Sequence, residues 1–137
     1  MQPDPERVAE TREWLAKASL DLRAAEFEFT AAPPLTADIV FHAQQLTEKA
    51  LKGFLTWHDE PFRKTHSLVE IGQQCVAIDA RLENVTRRAA KLTEYAWKFR
   101  YPGEPDEPPV TEAHEALALA REVYEAVLSR LPSEVRP

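Results

Sequence analysis

The stretch TADIVFHAQQLTEKALKGFLTW, residues 36–57, decides the fold that we expect for this chain. At the 3.6-residue period of an α-helix, its apolar residues gather on one broad face, which predicts burial in a core. Those residues are Ile39, Ala43, Leu46, Ala50, Phe54 and Trp57, widened by Val40, Leu51 and Leu55. The opposite arc carries His42, Gln45, Glu48, Lys49 and Lys52, with Phe41 as its one apolar member. That polar arc is either a solvated face or a line of side chains facing a cleft or a partner chain.

The rest of the chain supplies four more helical patterns, separated by proline-rich or polar connections. The ranges that we expect for these helices are about 6–29, 68–78, 82–99 and 111–131. Together with the stretch 36–57, they predict an all-α, up-and-down bundle of four long helices and one short helix. We expect one domain over residues 1–137, with its core over about 6–131.

The expected helix ends depend on capping residues and prolines. Thr36 and Thr111 are expected to be N-caps, and Ser67 with Glu70 forms a capping-box pattern. Pro102 is expected to end the fourth helix and to begin a linker over residues 102–110. The exposed face of the fourth helix is expected to carry Arg87, Arg88, Lys91, Tyr95 and Lys98. This basic face either is solvated or contacts RNA phosphate or an acidic partner.

Composition excludes several classes of protein. The formal net charge of −6 argues against a general nucleic-acid coat, although it leaves room for a local basic site. A single cysteine excludes an internal disulfide and a cysteine-based zinc site. The chain lacks a long apolar run, a glycine-rich phosphate loop and the zinc-enzyme motifs. We therefore expect a soluble, cytoplasmic protein with no membrane contact, no metal and no cofactor.

Three side chains have both a structural and a functional interpretation. His42 is either a hydrogen-bonded interface residue or an acid–base group, and His66 either orients its loop or serves the site. Extrapolation of the fourth helix places Arg100 at the edge of the apolar stripe, where an unpaired charge is costly. Arg100 is therefore expected either to pair with a carboxylate such as Glu48 or to hold a phosphate.

Several blocks of residues match a known family in order and spacing. They are His42-x-x-Gln45-x-x-Glu48-Lys49-x-x-Lys52, Lys64-Thr65-His66-x-Leu68 and Phe99-Arg100-Tyr101-Pro102. Over about residues 10–130 the chain resembles the HEPN domain family, named for higher eukaryote and prokaryote nucleotide-binding. The Arg-Tyr-Pro motif resembles the stand-alone type. The resemblance implies a helical homodimer and a small nucleotidyltransferase partner, the two often forming a toxin–antitoxin pair.

The resemblance also bears on activity. Many members of the family are metal-independent ribonucleases that carry Arg, four to six residues, then His. Here the positions at that spacing from Arg100, residues 105–107, are Pro, Asp and Glu, and no other Arg has a His at that spacing. The sequence therefore departs from the catalytic pattern of the family.

Three functions stay open from the sequence. The leading one is binding of a nucleotide or RNA phosphate, and its residues, carried over from the resemblance, are Gln45, Glu48, Lys49, Lys52, Arg100 and Tyr101. The first alternative is a ribonuclease toxin with a non-standard site, in which His42 or His66 acts as the general acid or base. The second alternative is a non-catalytic dimeric assembly module, in which the polar arc is a dimer seam.

Overall fold

The computed structural model describes residues 2–103 and 106–137, and within these ranges the chain is helical with no strand. Three long helices are α1 (Pro5–Glu28), α2 (Thr36–Trp57) and α5 (Val110–Leu128). Two shorter ones are α3 (Leu68–Ile78) and α4 (Glu83–Ala89). The described residues also form 3₁₀ segments at Ala80–Leu82, Ala90–Ala96 and Ser133–Val135. The prediction of an all-α bundle is confirmed, and two residues of the expected 102–110 linker, 104 and 105, lie outside the described ranges.

Helix α2 lies at the centre of the bundle, where α1 and α5 cover most of its surface. Its predicted apolar face is buried: Leu46 is 0 % exposed and Phe54 is 1 % exposed. Part of the arc that the sequence marks as polar is buried as well, since Glu48 is 5 % exposed and Lys52 is 7 % exposed. The solvated-face interpretation is therefore wrong for these two residues. The broad apolar arc is covered by other helices of the same chain, so it is not available as an interface with a second copy of the protein.

Two glycines allow close approach between helices. A Cβ atom built on Gly53 of α2 would lie 3.0 Å from Cδ2 of Leu15 and 3.3 Å from Cβ of Trp14, both on α1. A Cβ atom on Gly72 of α3 would lie 3.2 Å from Cβ of Thr86 on α4. Both glycines sit inside regular helices, because the packing gained there offsets the poor helix propensity of glycine.

The expected helix over 82–99 is shorter than its pattern suggests. It is an α-helix only over Glu83–Ala89 and continues as a 3₁₀ helix over Ala90–Ala96. A 3₁₀ helix has three residues per turn, so Leu92 and Tyr95 share one side, and both are buried. Tyr95 therefore does not belong to the exposed basic face, and its hydroxyl donates to Oε2 of Glu112 at 2.5 Å. This change of helical period corrects the sequence-based placement of Tyr95.

The predicted caps are confirmed at one helix and wrong at two. Helix α2 begins at Thr36 itself and α5 begins one residue before Thr111, and neither has a side-chain cap. Ser67 does cap α3, since its hydroxyl accepts from the backbone N–H of Glu70 at 3.3 Å. In a full capping box, the Glu70 carboxylate would accept from the backbone N–H of Ser67. Here it accepts from Nε of Arg63 at 2.7 Å instead.

The single cysteine, Cys75, lies in the core of the bundle on α3. It is 0 % exposed, and its thiol donates to the carbonyl of Leu51 at 3.6 Å. Burial raises the pKa of this thiol to about 12, so the reactive thiolate is suppressed. None of the described helices is long and apolar enough to cross a membrane.

Candidate functional site

A buried carboxylate, Glu48, lies at the centre of the polar network on α2. Its Oε1 accepts from Nε2 of Gln44 at 2.9 Å and lies 2.8 Å from Nδ1 of His66. Its Oε2 accepts from Nζ of Lys52 at 3.0 Å. Desolvation works to raise the pKa of Glu48, but the hydrogen bonds from Gln44, His66 and Lys52 outweigh it and hold that pKa below its usual value. The carboxylate is therefore ionised and fully bonded at neutral pH.

His66 brings this buried network to the surface. The His66 side chain is 63 % exposed, whereas the Glu48 side chain it touches is 6 % exposed. The loop that carries His66 is held by two backbone contacts, from the N–H of Ser67 to Thr65 Oγ1 and from the N–H of Leu68 to Thr93 Oγ1. Because the carboxylate takes Nδ1, the ring presents Nε2 outward. A carboxylate-oriented imidazole of this kind can donate to a phosphate or transfer a proton.

Lys52 binds the second oxygen of the Glu48 carboxylate and packs between aromatic rings. Its Nζ lies 5.7 Å from the ring centroid of Trp14 and 5.6 Å from that of Phe62, in addition to its bond with Glu48. These contacts join α1, α2 and the loop before α3 around one ammonium group. Lys52 therefore acts on the site through Glu48, and a ligand would reach its ammonium group only by displacing the carboxylate.

His42 and Lys49 belong to a second cluster, which faces α1. Oδ1 of Asp21 lies 2.8 Å from Nδ1 of His42, and Oδ2 of Asp21 accepts from Nζ of Lys49 at 2.7 Å. Nε2 of His42 lies 3.6 Å from Oε1 of Glu28. The hydrogen bond with Asp21 is the main cause of the raised pKa of His42. Both nitrogens of His42 thus face carboxylates of the same chain.

The Glu28 carboxyl completes this second cluster. Desolvation, followed by a hydrogen bond with the Asp38 carboxyl, raises the pKa of Glu28 to about 7. Its Oε1 is buried without a hydrogen-bond partner among the described residues. Since Asp38 and His42 are on α2 and Glu28 is on α1, this cluster joins the two helices.

Arg100 stacks on Phe41 instead of joining either cluster. Its guanidinium carbon lies 3.7 Å from the centroid of the Phe41 ring, and its side chain is exposed. The expected position at the edge of the core and the pair with Glu48 are both wrong, because the 3₁₀ segment and the positive φ of 69° at Phe99 turn the chain out of the extrapolated helix. The next residue, Tyr101, is 63 % exposed.

The helical phase of α2 divides the predicted site residues into two groups. Phe41, Gln45, Glu48 and Lys52 follow one arc, at i, i+4, i+7 and i+11, while His42 and Lys49 point toward α1. Along that arc, the helix rise separates the Phe41 position from the Glu48 position by about 10 Å. Arg100 and His66 are thus held by the same face of α2, with Gln45 between their partners.

Several residues of these networks were not among the predicted site residues. Gln44 donates to Glu48 and accepts from Nε2 of Gln45 at 2.7 Å, although it is 0 % exposed. Asp21 lies on α1, where nothing in the local sequence distinguishes it from other acidic residues. Phe41 was detectable, because it is the one apolar residue on the polar arc of α2. An isolated aromatic residue on such an arc is a signal for a stacked cation.

The arrangement suits anion contact and proton transfer better than metal coordination. Within residues 2–103 and 106–137, no three His, Cys, Asp or Glu side chains are grouped so that they could hold a metal ion. The exposed groups of the site are a guanidinium, which donates to phosphate oxygens, and an imidazole, which does so through Nε2 in its protonated form.

Comparison with known proteins identifies one similarity. A family model described as the HEPN domain matches residues 11–131, a range that includes both clusters and the Arg100–Phe41 contact. No curated protein and no solved structure shows significant similarity to the chain.

Proposed function

The chain belongs to the HEPN domain family, and we propose that it binds the phosphate of a nucleotide or an RNA along one face of α2. Members of this family have functions related to nucleotides or RNA in general. The proposal places the ligand between the exposed guanidinium of Arg100 and the exposed imidazole of His66.

One observation carries this proposal. Two exposed donors, each fixed by a specific contact, are held by positions on the same arc of α2 about 10 Å apart. Arg100 is fixed by the Phe41 ring at 3.7 Å, and His66 is fixed by the Glu48 carboxylate at 2.8 Å. Donors held in advance lose little entropy when they bind an anion. In a chain of net charge −6, such a pair is a local exception to the acidic surface.

The predicted ligand-binding residues take different roles in this proposal. Arg100 offers its planar fork to a phosphate, and Gln45 and Tyr101 would add hydrogen bonds to the same ligand. Glu48 orients His66 instead of touching the anion. Lys49 and Lys52 do not contact the anion directly, since each is already bonded to a carboxylate.

Isothermal titration with a panel of nucleotides and short RNAs tests the proposal. Arg100→Ala and His66→Ala are each expected to weaken binding at least tenfold. Arg87→Ala is the matched control, because Arg87 lies away from α2, on α4, where it is exposed and pairs with Glu83 of the same helix at 2.9 Å. Equal losses in all three variants would show that binding is only a diffuse charge effect, and the site would be wrong.

The His66–Glu48 pair favours RNA cleavage as a second candidate function. A carboxylate-oriented imidazole can take the proton from a 2′-hydroxyl, whose oxygen then attacks the neighbouring phosphorus. The bond to the 5′-oxygen breaks, and the departing 5′-oxygen takes up a proton from water. His42 is the weaker candidate for this role, since both of its nitrogens face carboxylates. Labelled RNA incubated in EDTA with the wild-type protein and with His66→Ala decides the matter: cleavage that His66→Ala abolishes supports it, and intact RNA overturns it.

We further propose a homodimer that acts in the cytoplasm with a small nucleotidyltransferase, as in a toxin–antitoxin pair. HEPN domains often dimerise. Leu20 and Phe27 on α1 support a protein contact, since they are 51 % and 74 % exposed and seven residues apart on one face. Light scattering tests the dimer, and co-purification with a nucleotidyltransferase encoded nearby tests the partner. A monomer that binds nothing would leave neither proposal standing, and a dimer that binds no nucleotide or RNA would favour the assembly module.

A further inference from the structure

We propose that the segment 97–101, with the sequence Trp-Lys-Phe-Arg-Tyr, stacks an unpaired base, so that the ligand class is single-stranded RNA. This inference rests on the proposed phosphate site, and it adds a base-recognition surface to it. Trp97 and Tyr101 are the residues that would contact the base.

The composition and exposure of this segment are the first observation. Aromatic and cationic residues alternate over its five positions, in a chain whose net charge is −6. Trp97 is 52 % exposed and Tyr101 is 63 % exposed, so two large rings face solvent on either side of Arg100. Interleaved aromatic and basic side chains are the usual surface for a single strand, because rings stack on bases while cations contact the backbone.

The backbone of this segment is held in an unusual conformation, which is the second observation. Phe99 has a φ of 69°, in the left-handed region that a phenylalanine rarely adopts. Its ring packs against the core, stacked on Tyr95 with centroids 6.3 Å apart. Phe99 therefore turns inward as an anchor while Trp97 and Tyr101 stay outside. Strain of this kind persists only where surrounding contacts enforce it, and it is concentrated at functional sites.

The stacking of Arg100 links this surface to the phosphate site. One face of its guanidinium is covered by Phe41, while the side chain as a whole is exposed to solvent. A base stacked beside Arg100 would place its own phosphate within reach of the same guanidinium. A base inside a duplex cannot offer a face to the protein, so the arrangement selects an unpaired nucleotide.

The cations of the segment favour RNA over a protein partner as the occupant. Lys98 lies with its Nζ 5.1 Å from the Phe99 ring centroid and 3.3 Å from Oε1 of Glu94. Arg100 makes no ion pair with a described residue, so its charge is available to a phosphate.

The test compares three ligands on the full-length protein. They are a single-stranded RNA of about eight nucleotides, an abasic strand of the same length and charge, and the same RNA as a duplex. Fluorescence anisotropy gives the affinities. Because the chain has three tryptophans, the part of the tryptophan quenching that is lost in Trp97→Ala reports stacking on Trp97. The wild-type protein should bind the single strand roughly tenfold more tightly than the abasic strand or the duplex.

Four variants separate the stacking surface from the phosphate site. Trp97→Ala and Tyr101→Ala should each reduce the preference for the single strand over the abasic strand at least about fivefold, with the abasic affinity unchanged. Arg100→Ala should weaken both ligands. Ile78→Ala is the control, since Ile78 is an exposed apolar residue that lines a pocket with Phe54, about 20 Å along α2 from Phe41.

The failures of the two proposals differ. If the wild-type protein binds none of the three ligands and no nucleotide, both the phosphate site and the stacking surface are wrong. If it binds a nucleotide but none of the three ligands, the stacking surface alone is wrong. If it binds all three equally, or if Trp97→Ala and Tyr101→Ala affect the abasic strand as much as the RNA, the stacking surface alone is wrong. If these two variants change the oligomeric mass in light scattering and leave the base preference intact, the rings belong to a protein contact and the inference is overturned.

Discussion

Nδ1 of His66 lies 2.8 Å from Oε1 of Glu48, across 18 residues of sequence, and this contact joins an exposed side chain to a buried one. The carboxylate belongs to the central helix, and its second oxygen is held by Lys52 at 3.0 Å. The position of the imidazole is therefore set by the core of the bundle. A substitution at Glu48 changes both the core and the site.

Replacing the buried carboxylate should destabilise the fold strongly. In Glu48→Gln, the buried ammonium of Lys52 loses its counter-charge, and a cost of about 3–5 kcal/mol is expected. Urea denaturation at neutral pH measures it. Glu83→Gln is the matched control, because Glu83 also pairs with a cation four residues later, Arg87, but at the surface. That variant should change stability by less than about 0.5 kcal/mol, and similar costs in the two variants would contradict the importance of burial.

Removing Arg100 should leave the fold nearly unchanged. Its stacking on Phe41 is exposed, and such a contact contributes about 0.5–1 kcal/mol. Arg100→Ala should therefore shift the free energy of unfolding by no more than about 1 kcal/mol while it weakens phosphate binding. A loss of about 3–5 kcal/mol, typical of a broken buried ion pair, would mean that Arg100 is a structural residue after all.

Truncating the apolar face of α2 should be costly. Leu46→Ala and Phe54→Ala are each expected to destabilise the protein by about 2–5 kcal/mol, because both side chains are buried and leave cavities. Val69→Ala, at a position that is 51 % exposed, should cost less than about 0.5 kcal/mol. Denaturation midpoints for the three variants check this, and an unchanged midpoint for Leu46→Ala or Phe54→Ala would reverse the assignment of the buried face.

The cluster between α1 and α2 should make stability depend on pH. Desolvation and the hydrogen bond with Asp38 raise the pKa of Glu28 from 4.5 to about 7, so the folded chain binds this proton more tightly than the unfolded chain. The stabilisation is complete below about pH 4.5 and is lost as the pH rises through about 7. His42, whose pKa is raised mainly by Asp21, acts in the same direction. We expect a loss on the order of 1–2 kcal/mol over this range.

Glu28→Gln isolates this contribution, because an amide keeps a donor toward Asp38 and does not ionise. Thermal melts at about pH 5 and about pH 8 should show the variant close to the wild type at the lower pH and more stable than the wild type at the higher pH. The neighbouring charges of Asp21, His42 and Lys49 stay in place in both proteins. Equal pH profiles for the two proteins would show that Glu28 is already ionised near neutral pH.

The central helix could be predicted because its pattern is local. The apolar stripe on residues 36–57 follows from the helical period alone, and the structure buries it as expected. The short helix over Leu68–Ile78 was equally predictable, since Ser67 gives a cap signal immediately before it. These features need no knowledge of what lies across the bundle.

The site could be predicted only in part, because its geometry depends on distant partners. His66 and Glu48 were both candidates, but their contact spans two elements and has no local signature. The sequence-based placement of Arg100 assumed a regular α-helix through residue 99. The chain instead forms a 3₁₀ helix over Ala90–Ala96, in which Leu92 and Tyr95 are buried. A change of helical period is decided by tertiary contacts, which a periodicity argument cannot detect.

The rate at which the buried thiol of Cys75 is labelled can report how often the bundle opens. With the pKa at about 12 and the side chain at 0 % exposure, a thiol-specific reagent can react only after α3 has moved away from the core. Because the sequence contains one cysteine, the labelling rate reports a single event without any engineered probe. That rate would show whether the loop of His66, which leads directly into α3, opens together with the whole bundle or separately from it.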